Sequence, residues 1–276
     1  MMILYLLLLL IKITVFAVFL TVLLSYTIAW YERANARPEL IERRFTTRGL
    51  CIATWLLIQE SGCLLVTILL RPFGWLPARP PSAKQESLPP VILLHGLFQN
   101  RSSLFWLQHR LHSAGYRQII SINTPPWKDL ETLTEKLAKK VDEMRIRCKV
   151  DKVILVGHSM GGIIARNYVQ NRGGAANVER IVTLGSPHHG SKLAPFALSP
   201  IGKTLLPGSE FIRRFNSAAW PQGTPIVSIY TRYDNIVMPA ELARMDGAGS
   251  VELDGMGHTA LLFHPRSLQA VIEALK

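Results

Sequence analysis

Cysteine is scarce in this chain. Cys51, Cys63 and Cys148 are its three cysteines in 276 residues. No CxxC pattern joins them, so neither a disulfide framework nor a zinc site is supported, and the redox compartment stays open. Acidic residues are also few: 19 Asp and Glu stand against 31 Lys and Arg, a formal net charge of +12. A basic surface attracts anionic partners over about a Debye length. No zinc-finger, homeodomain or RRM signature accompanies the charge, so no nucleic-acid partner is expected. An anionic membrane leaflet is the better match. Nothing in the sequence calls for a cofactor.

Hydrophobic residues make up 49% of the chain and mean hydropathy is +0.21. The excess is concentrated in residues 1–70, and two unlike parts follow from it. Met2 to Ala29 carries one charge, Lys12. Its length exceeds the about 20 apolar residues that cross a hydrocarbon core. It lacks the positive n-region and the small-residue cleavage site of a signal peptide, so a retained membrane anchor is expected. A second apolar run covers Leu50 to Leu70, with Gln59, Glu60, Ser61 and Gly62 at its centre. A carboxylate at mid-bilayer costs about 2.5–3.5 kcal/mol on insertion scales. A two-helix hairpin, about 2–29 and 50–70, is expected, with Lys12 and Glu60 paired at similar depth. The alternative is a pair of short buried or interfacial pieces.

Residues 31–48 join the two runs with five Arg against three acidic residues. The positive-inside rule places such a loop in the cytoplasm. The membrane is then expected to be a bacterial inner membrane. The rest of the chain lies on the periplasmic side with two spans and in the cytoplasm with one. Residues 71–89 are rich in proline (Pro72, Pro77, Pro80, Pro81, Pro89). They read as a linker, with the domain boundary inside it.

From residue 90 onward, short β-rich runs alternate with helical patterns. The strands expected are Val91–Leu94, Gln118–Ile122, Lys152–Val156, Arg180–Leu184, Pro225–Tyr230 and Ser250–Leu253. The helices expected are Leu104–Ser113, Leu130–Arg147, Ile163–Gln170 and Arg266–Leu275. Such alternation implies an α/β fold, a mostly parallel sheet with helices on both faces.

One segment carries chemistry directly. An apolar strand runs into Gly157-His158-Ser159-Met160-Gly161, and a helical pattern follows. This is G-x-S-x-G in the strand–turn–helix setting of a nucleophile elbow. The serine of such an elbow sits on a sharp turn, and the flanking glycines let neighbouring chain pass close. The N–H of Met160 and the helix dipole then point at a developing oxyanion.

The segments VILLHGLFQN, GHSMGG, TLGSPHHGS, YDNIVMP and GMGHTALL, in that order over residues 90–276, resemble those of bacterial lipases and esterases of the α/β-hydrolase fold. The resemblance does not reach residues 1–70. In this fold the triad runs Ser, then acid, then His. After Ser159 the histidines are His188, His189, His258 and His264. His258 lies in a glycine-flanked loop past a late strand, the kind of loop where the family places its base. His264 precedes Pro265 and reads as structural. Asp234 follows a strand, at the family's acid position, whereas Asp246 and Asp254 are less well placed. By resemblance to the family's HG-x pattern, Leu97 supplies the second oxyanion N–H. His95, His188 and His189 read as structural, and no metal ligand set can be identified.

Lys192 to Trp220 falls where the family carries its cap or lid, about 191–222. Leu193, Phe196, Phe211 and Phe215 are its candidate substrate-binding residues. A movable cap over an acyl groove and simple core packing both account for these apolar positions. The expected activity is carboxylic-ester hydrolysis on a lipid or acyl-ester substrate, through Ser159, His258 and Asp234. A thioesterase or acyltransferase using the same triad is the alternative. A membrane scaffold that keeps the fold without chemistry is the rival from another class.

Overall fold

The computed structural model describes residues 1–36, 46–77 and 86–276. The Arg-rich stretch of the connecting loop (Arg37, Arg43, Arg44) and Pro80 and Pro81 of the linker lie outside the described residues.

Six strands form one sheet in the order β2-β1-β3-β4-β5-β6, and every described pairing is parallel. They are β1 (Val91–Leu94), β2 (Ile119–Ile122), β3 (Val153–His158), β4 (Val178–Leu184), β5 (Ile226–Thr231) and β6 (Gly249–Leu253). Parallel strands need crossovers, and these are made by α3 (Phe105–Ser113), α4 (Leu130–Cys148) and α5 (Met160–Asn171); α8 (Pro265–Ala274) follows β6. Alternate residues of each strand point to opposite faces. Ile92, Leu94, Val153 and Leu155 therefore join a core with α4 and α5. Val91, Leu93, Ile154 and Val156 join a second core with α3 and α8.

The stretch between β4 and β5 holds two short helices, α6 (Pro200–Thr204) and α7 (Glu210–Ser217). Phe211 and Phe215 of α7 stack on each other at 5.0 Å between ring centroids. Phe215 is buried in the α4–α5 core, with the Arg166 guanidinium 4.1 Å above its ring. The expectation that these two residues line a substrate site is therefore corrected: their apolar area is spent on the core.

The N-terminal region forms two helices, α1 (Met2–Ala36) and α2 (Thr47–Leu70). Both are long and apolar enough to cross a membrane. They differ in what they touch. The first turns of α1 stand clear of the rest, and Met1 to Ile11 are each at least 41% exposed. From Val18 onward α1 packs: Val22 and Tyr26 meet Leu56 of α2, Glu32 pairs with Lys192, and Arg33 donates to the Arg232 carbonyl. By contrast α2 lies along the sheet domain over most of its length. Trp55 Nε1 donates to the Gly255 carbonyl at 3.2 Å, and Glu60 and Thr67 are buried.

The Lys12–Glu60 pair does not form. Lys12 is exposed. Glu60 shares its surroundings with Tyr26, both side chains standing against Gly257. Tyr26 is 14 residues beyond Lys12, about 21 Å along a helix rising 1.5 Å per residue. The start of the proline-rich stretch is docked as well. The Arg71 carbonyl accepts from Asn100 Nδ2 at 2.7 Å, and the Gly74 carbonyl accepts from Arg101 and Asn123.

Candidate active site

β3 ends at His158, and α5 starts at Met160. Ser159 alone makes the reversal, with φ 54° and ψ −123°. Such a conformation costs a non-glycine residue about 1–3 kcal/mol and persists only where the surroundings enforce it. The enforcement comes from chain packed on both sides. A Cβ on Gly157 would stand 2.4 Å from the Gly162 nitrogen, and one on Gly161 would stand 2.4 Å from the Leu94 carbonyl oxygen. The two glycines let α5 sit directly on β1 and β3, and the serine is held at the carboxyl edge of the sheet.

Asp234 follows β5. Its Oδ1 accepts from the Ile236 and Val237 N–H groups, both at 2.8 Å, and its Oδ2 bonds His258 Nδ1 at 2.9 Å. These bonds engage both carboxylate oxygens and tie up Nδ1 of His258, which also lines the cavity beside Ser159. Burial alone pushes the His258 imidazole down. The Asp234 charge and hydrogen bond, with the Glu60 charge, outweigh burial and raise its pKa above the usual value.

The His258 backbone is equally tied. Its N–H donates to Asn235 Oδ1 at 3.2 Å, and its carbonyl bonds His158 Nε2 at 3.2 Å. Thr231 Oγ1 holds the Met256 carbonyl at 2.7 Å. The Thr259 and Ala260 N–H groups donate to the Glu60 carboxylate at 2.6 and 3.1 Å. Asn235 in turn donates to Ser25 Oγ of α1 at 2.8 Å. Sequence reading missed His158, Asn235 and Ser25 altogether. It singled out Glu60 as an anomalous charge but gave it a partner on the wrong helix.

His95 follows β1 and fixes the loop that carries Leu97. Its Nε2 accepts from the Thr124 N–H at 2.9 Å, and Nδ1 donates to the Gly96 carbonyl at 2.8 Å. Burial lowers its pKa to about 4, so the ring is neutral and that tautomer is kept. His188 is buried, with Nε2 3.0 Å from Thr183 Oγ1. Burial holds its pKa well below the ordinary value, with Arg166 and His189 adding to the effect.

Ser159 and His258 open into one cavity of about 650 Å³. Leu97 and Met160 line it beside Ser159, and Leu193 and Phe196 of the β4–β5 stretch form part of its wall. The rest of the wall belongs to the N-terminal helices: Val22, Leu24 and Ile28 of α1, Leu64 and Ile68 of α2. The site thus joins the Ser159 edge of the sheet to a mostly apolar chamber roofed by the two apolar helices.

A family model described as palmitoyl protein thioesterase matches residues 90–239, more than half of the chain. The chain belongs to the palmitoyl protein thioesterase family. The matched segment contains Ser159 and Asp234 and ends before His258. Solved structures agree on the fold. The mature lipase BlEst2 of Bacillus licheniformis is 22% identical, with 72% of this chain and 96% of that one covered and a TM-score of 0.62. A monoacylglycerol lipase of Paleococcus ferrophilus is 17% identical, covering 68% and 95%, with a TM-score of 0.52. A membrane phospholipase A described as a bacterial virulence factor is 15% identical, covering 82% and 94%, with a TM-score of 0.50. This thioesterase-family member is an ester hydrolase with the α/β-hydrolase fold.

The raised His258 pKa predicts a pH profile. With His258 read as the base, as proposed below, it works only when neutral, so the acid limb of kcat/KM should lie above the ordinary imidazole value of about 6.5. A limb measured at or below that value contradicts the electrostatic balance described here.

Proposed function

We propose that this chain is a membrane-anchored serine hydrolase that cleaves long-chain acyl esters or thioesters through an acyl-enzyme. The observation that carries the reading is the chamber: an elbow serine and an aspartate-held histidine share it with apolar side chains of α1 and α2. Ser159 attacks the acyl carbonyl, and its proton passes to His258. Asp234 orients the imidazole and stabilises its charged form. The N–H groups of Leu97 and Met160 hold the oxyanion, where one lost donor costs about 2.7–4 kcal/mol. His258 gives the serine proton to the departing alcohol or thiol as its bond to the acyl carbon breaks, and water, deprotonated by the same imidazole, then hydrolyses the acyl-enzyme to free fatty acid and Ser159. The metal-free chemistry needs only these groups and water.

A membrane glycerolipid or lysophospholipid is the first substrate class, because an apolar chamber walled by membrane-type helices suits an acyl chain that starts in a bilayer. The family match favours a second, an S-acyl thioester, since thiolate leaves more readily than alkoxide and the same triad serves both. The anchor is α1. Among the described residues its first turns are exposed, whereas α2 is docked on the sheet domain. On this reading there is one crossing, and the Arg-rich loop and Ser159 share the cytoplasmic side.

Ser159→Ala should abolish p-nitrophenyl-ester turnover and fluorophosphonate labelling in folded protein; retained turnover ends the assignment, and a folded wild-type chain that takes no label supports the scaffold. Oxyesters and thioesters of graded length separate the two substrate classes. Leu64→Trp should shift the preferred acyl chain to shorter lengths, because it fills the chamber wall; an unmoved optimum removes Leu64 from the acyl path. Exposed Cys51 at the start of α2 should react with an impermeant maleimide from the same side as a cysteine placed at Lys276. Opposite sides would require two crossings.

A further inference from the structure

We propose that Glu60 is a positioning residue for His258, so that the active site is complete only with α2 docked. The proposal rests on the reading of Ser159, Asp234 and His258 as the catalytic triad.

Glu60 is the one charged residue between Arg48 and Arg71. It is 1% exposed. A lone carboxylate taken out of water is retained only where hydrogen bonds and charge compensate it. Here both oxygens accept backbone N–H groups, Oε1 from Thr259 and Oε2 from Ala260, at 2.6 and 3.1 Å. Those are the two residues immediately after His258. A carboxylate that grips consecutive amides fixes the direction in which the chain leaves the imidazole-bearing residue. Asn235, itself bonded to Ser25 of α1, fixes the direction in which it arrives.

The fit is close. A Cβ on Gly257 would stand 2.4 Å from both Glu60 Oε2 and the Tyr26 hydroxyl. A side chain at this position would have to push the ends of Glu60 and Tyr26 away from the loop. The charge acts as well as the shape wherever Glu60 is ionised: burial raises its pKa, while the bonds from Thr259 and Ala260 and the charge of His258 favour the carboxylate. When His258 takes the serine proton it becomes an imidazolium, and Glu60 adds to the attraction that Asp234 supplies. The titratable groups facing His258 are Asp234 after β5, His158 at the end of β3 and Glu60 on α2. Those facing Glu60 itself are His258, Tyr26 of α1 and Cys63 of α2.

A residue that only glued α2 to the domain would change stability and leave kinetics alone. The test uses the full chain in detergent micelles, with folding checked by thermal unfolding. The substrate is p-nitrophenyl butyrate, too short to depend on the acyl chamber. Glu60→Gln keeps the shape but turns an NH2 toward one of the two amides. It should lower kcat about 10- to 100-fold, the scale of a small misplacement of a catalytic group, with KM little changed. Loss of the negative charge should also move the acid limb of kcat/KM to lower pH, because the His258 cation is no longer favoured by Glu60. Gly257→Ala keeps the charge and displaces it; kcat should fall similarly with a smaller shift of the limb. Glu60→Asp should restore the limb but only part of kcat. Wild-type kcat and an unmoved limb in Glu60→Gln would overturn the proposal. Should that variant not fold, wild-type kcat in Gly257→Ala or Glu60→Asp overturns it. Ser159→Ala runs alongside. If it stays active the triad reading fails, whereas an inactive Ser159→Ala beside a fully active Glu60→Gln removes only the role of Glu60.

Discussion

A side chain at the end of a loop keeps its place only if the loop is held. His258 sits beyond β6, in a stretch with no strand partner and no long helix of its own. Its ring is fixed by Asp234, but a ring bond alone leaves the backbone free to rotate beneath it. The remaining constraint is a set of backbone hydrogen bonds. The Met256 carbonyl, the His258 N–H and carbonyl, and the Thr259 and Ala260 N–H groups each meet a side chain from another element. Five polar groups that would otherwise need water are satisfied inside the protein. The elements that satisfy them are β3, β5, the loop after β5 and the N-terminal helix α2, with α1 behind Asn235.

One of the holding groups would be costly alone. Glu60 is a carboxylate removed from water, and removing one partner from a buried charged hydrogen bond costs more than the bond contributes. The same asymmetry gives the arrangement its specificity. If α2 slid by one turn, about 5.4 Å, Glu60 would lose both amides, and those amides would face apolar side chains. The docked register of α2 is therefore set by a polar contact, while apolar packing joins Cys63 to the domain core and Leu56 to α1.

The sheet was legible because its strands are short, β-branched and separated by turn residues; all six were expected within two residues at each end. The elbow was legible because its chemistry depends on local spacing. Asp234 and His258 could be singled out through their order along the chain and their strand-end or glycine-flanked settings, and the structure joins them by a 2.9 Å hydrogen bond. What failed was what depends on placement in space. Phe211 and Phe215 carry the same apolar signal as Leu193 and Phe196, and periodicity cannot say which pair faces a cavity and which faces a core. Glu60 was visible as a charge in an apolar run, but two backbone amides have no sequence signature. Lys12 offered itself because side chains do. His158 and Asn235 lie inside motifs read for their neighbours, and their hydrogen bonds to the His258 backbone span 100 and 23 residues.

The unlike surroundings of α1 and α2 bear on how a substrate reaches Ser159. Counting from Met2, twenty helical residues cover about 30 Å, the thickness of a hydrocarbon core. That count ends at Thr21, which is also the first residue of α1 to line the chamber. An α1 that crosses a bilayer thus places the chamber at the membrane boundary. Other exposed apolar groups gather at the far end of α2, where Leu69, Phe73 and Trp75 are between 61% and 72% exposed. Trp is favoured at the headgroup level, where one side of the ring meets lipid and the other water. An acyl chain entering between these helices would pass from lipid to an apolar wall without crossing water, and only its carbonyl would need to meet polar groups. On the proposed function, the cost of extraction from the bilayer would then fall mainly on the headgroup, and a site built this way would discriminate by chain length within the chamber and by leaving-group chemistry at Ser159.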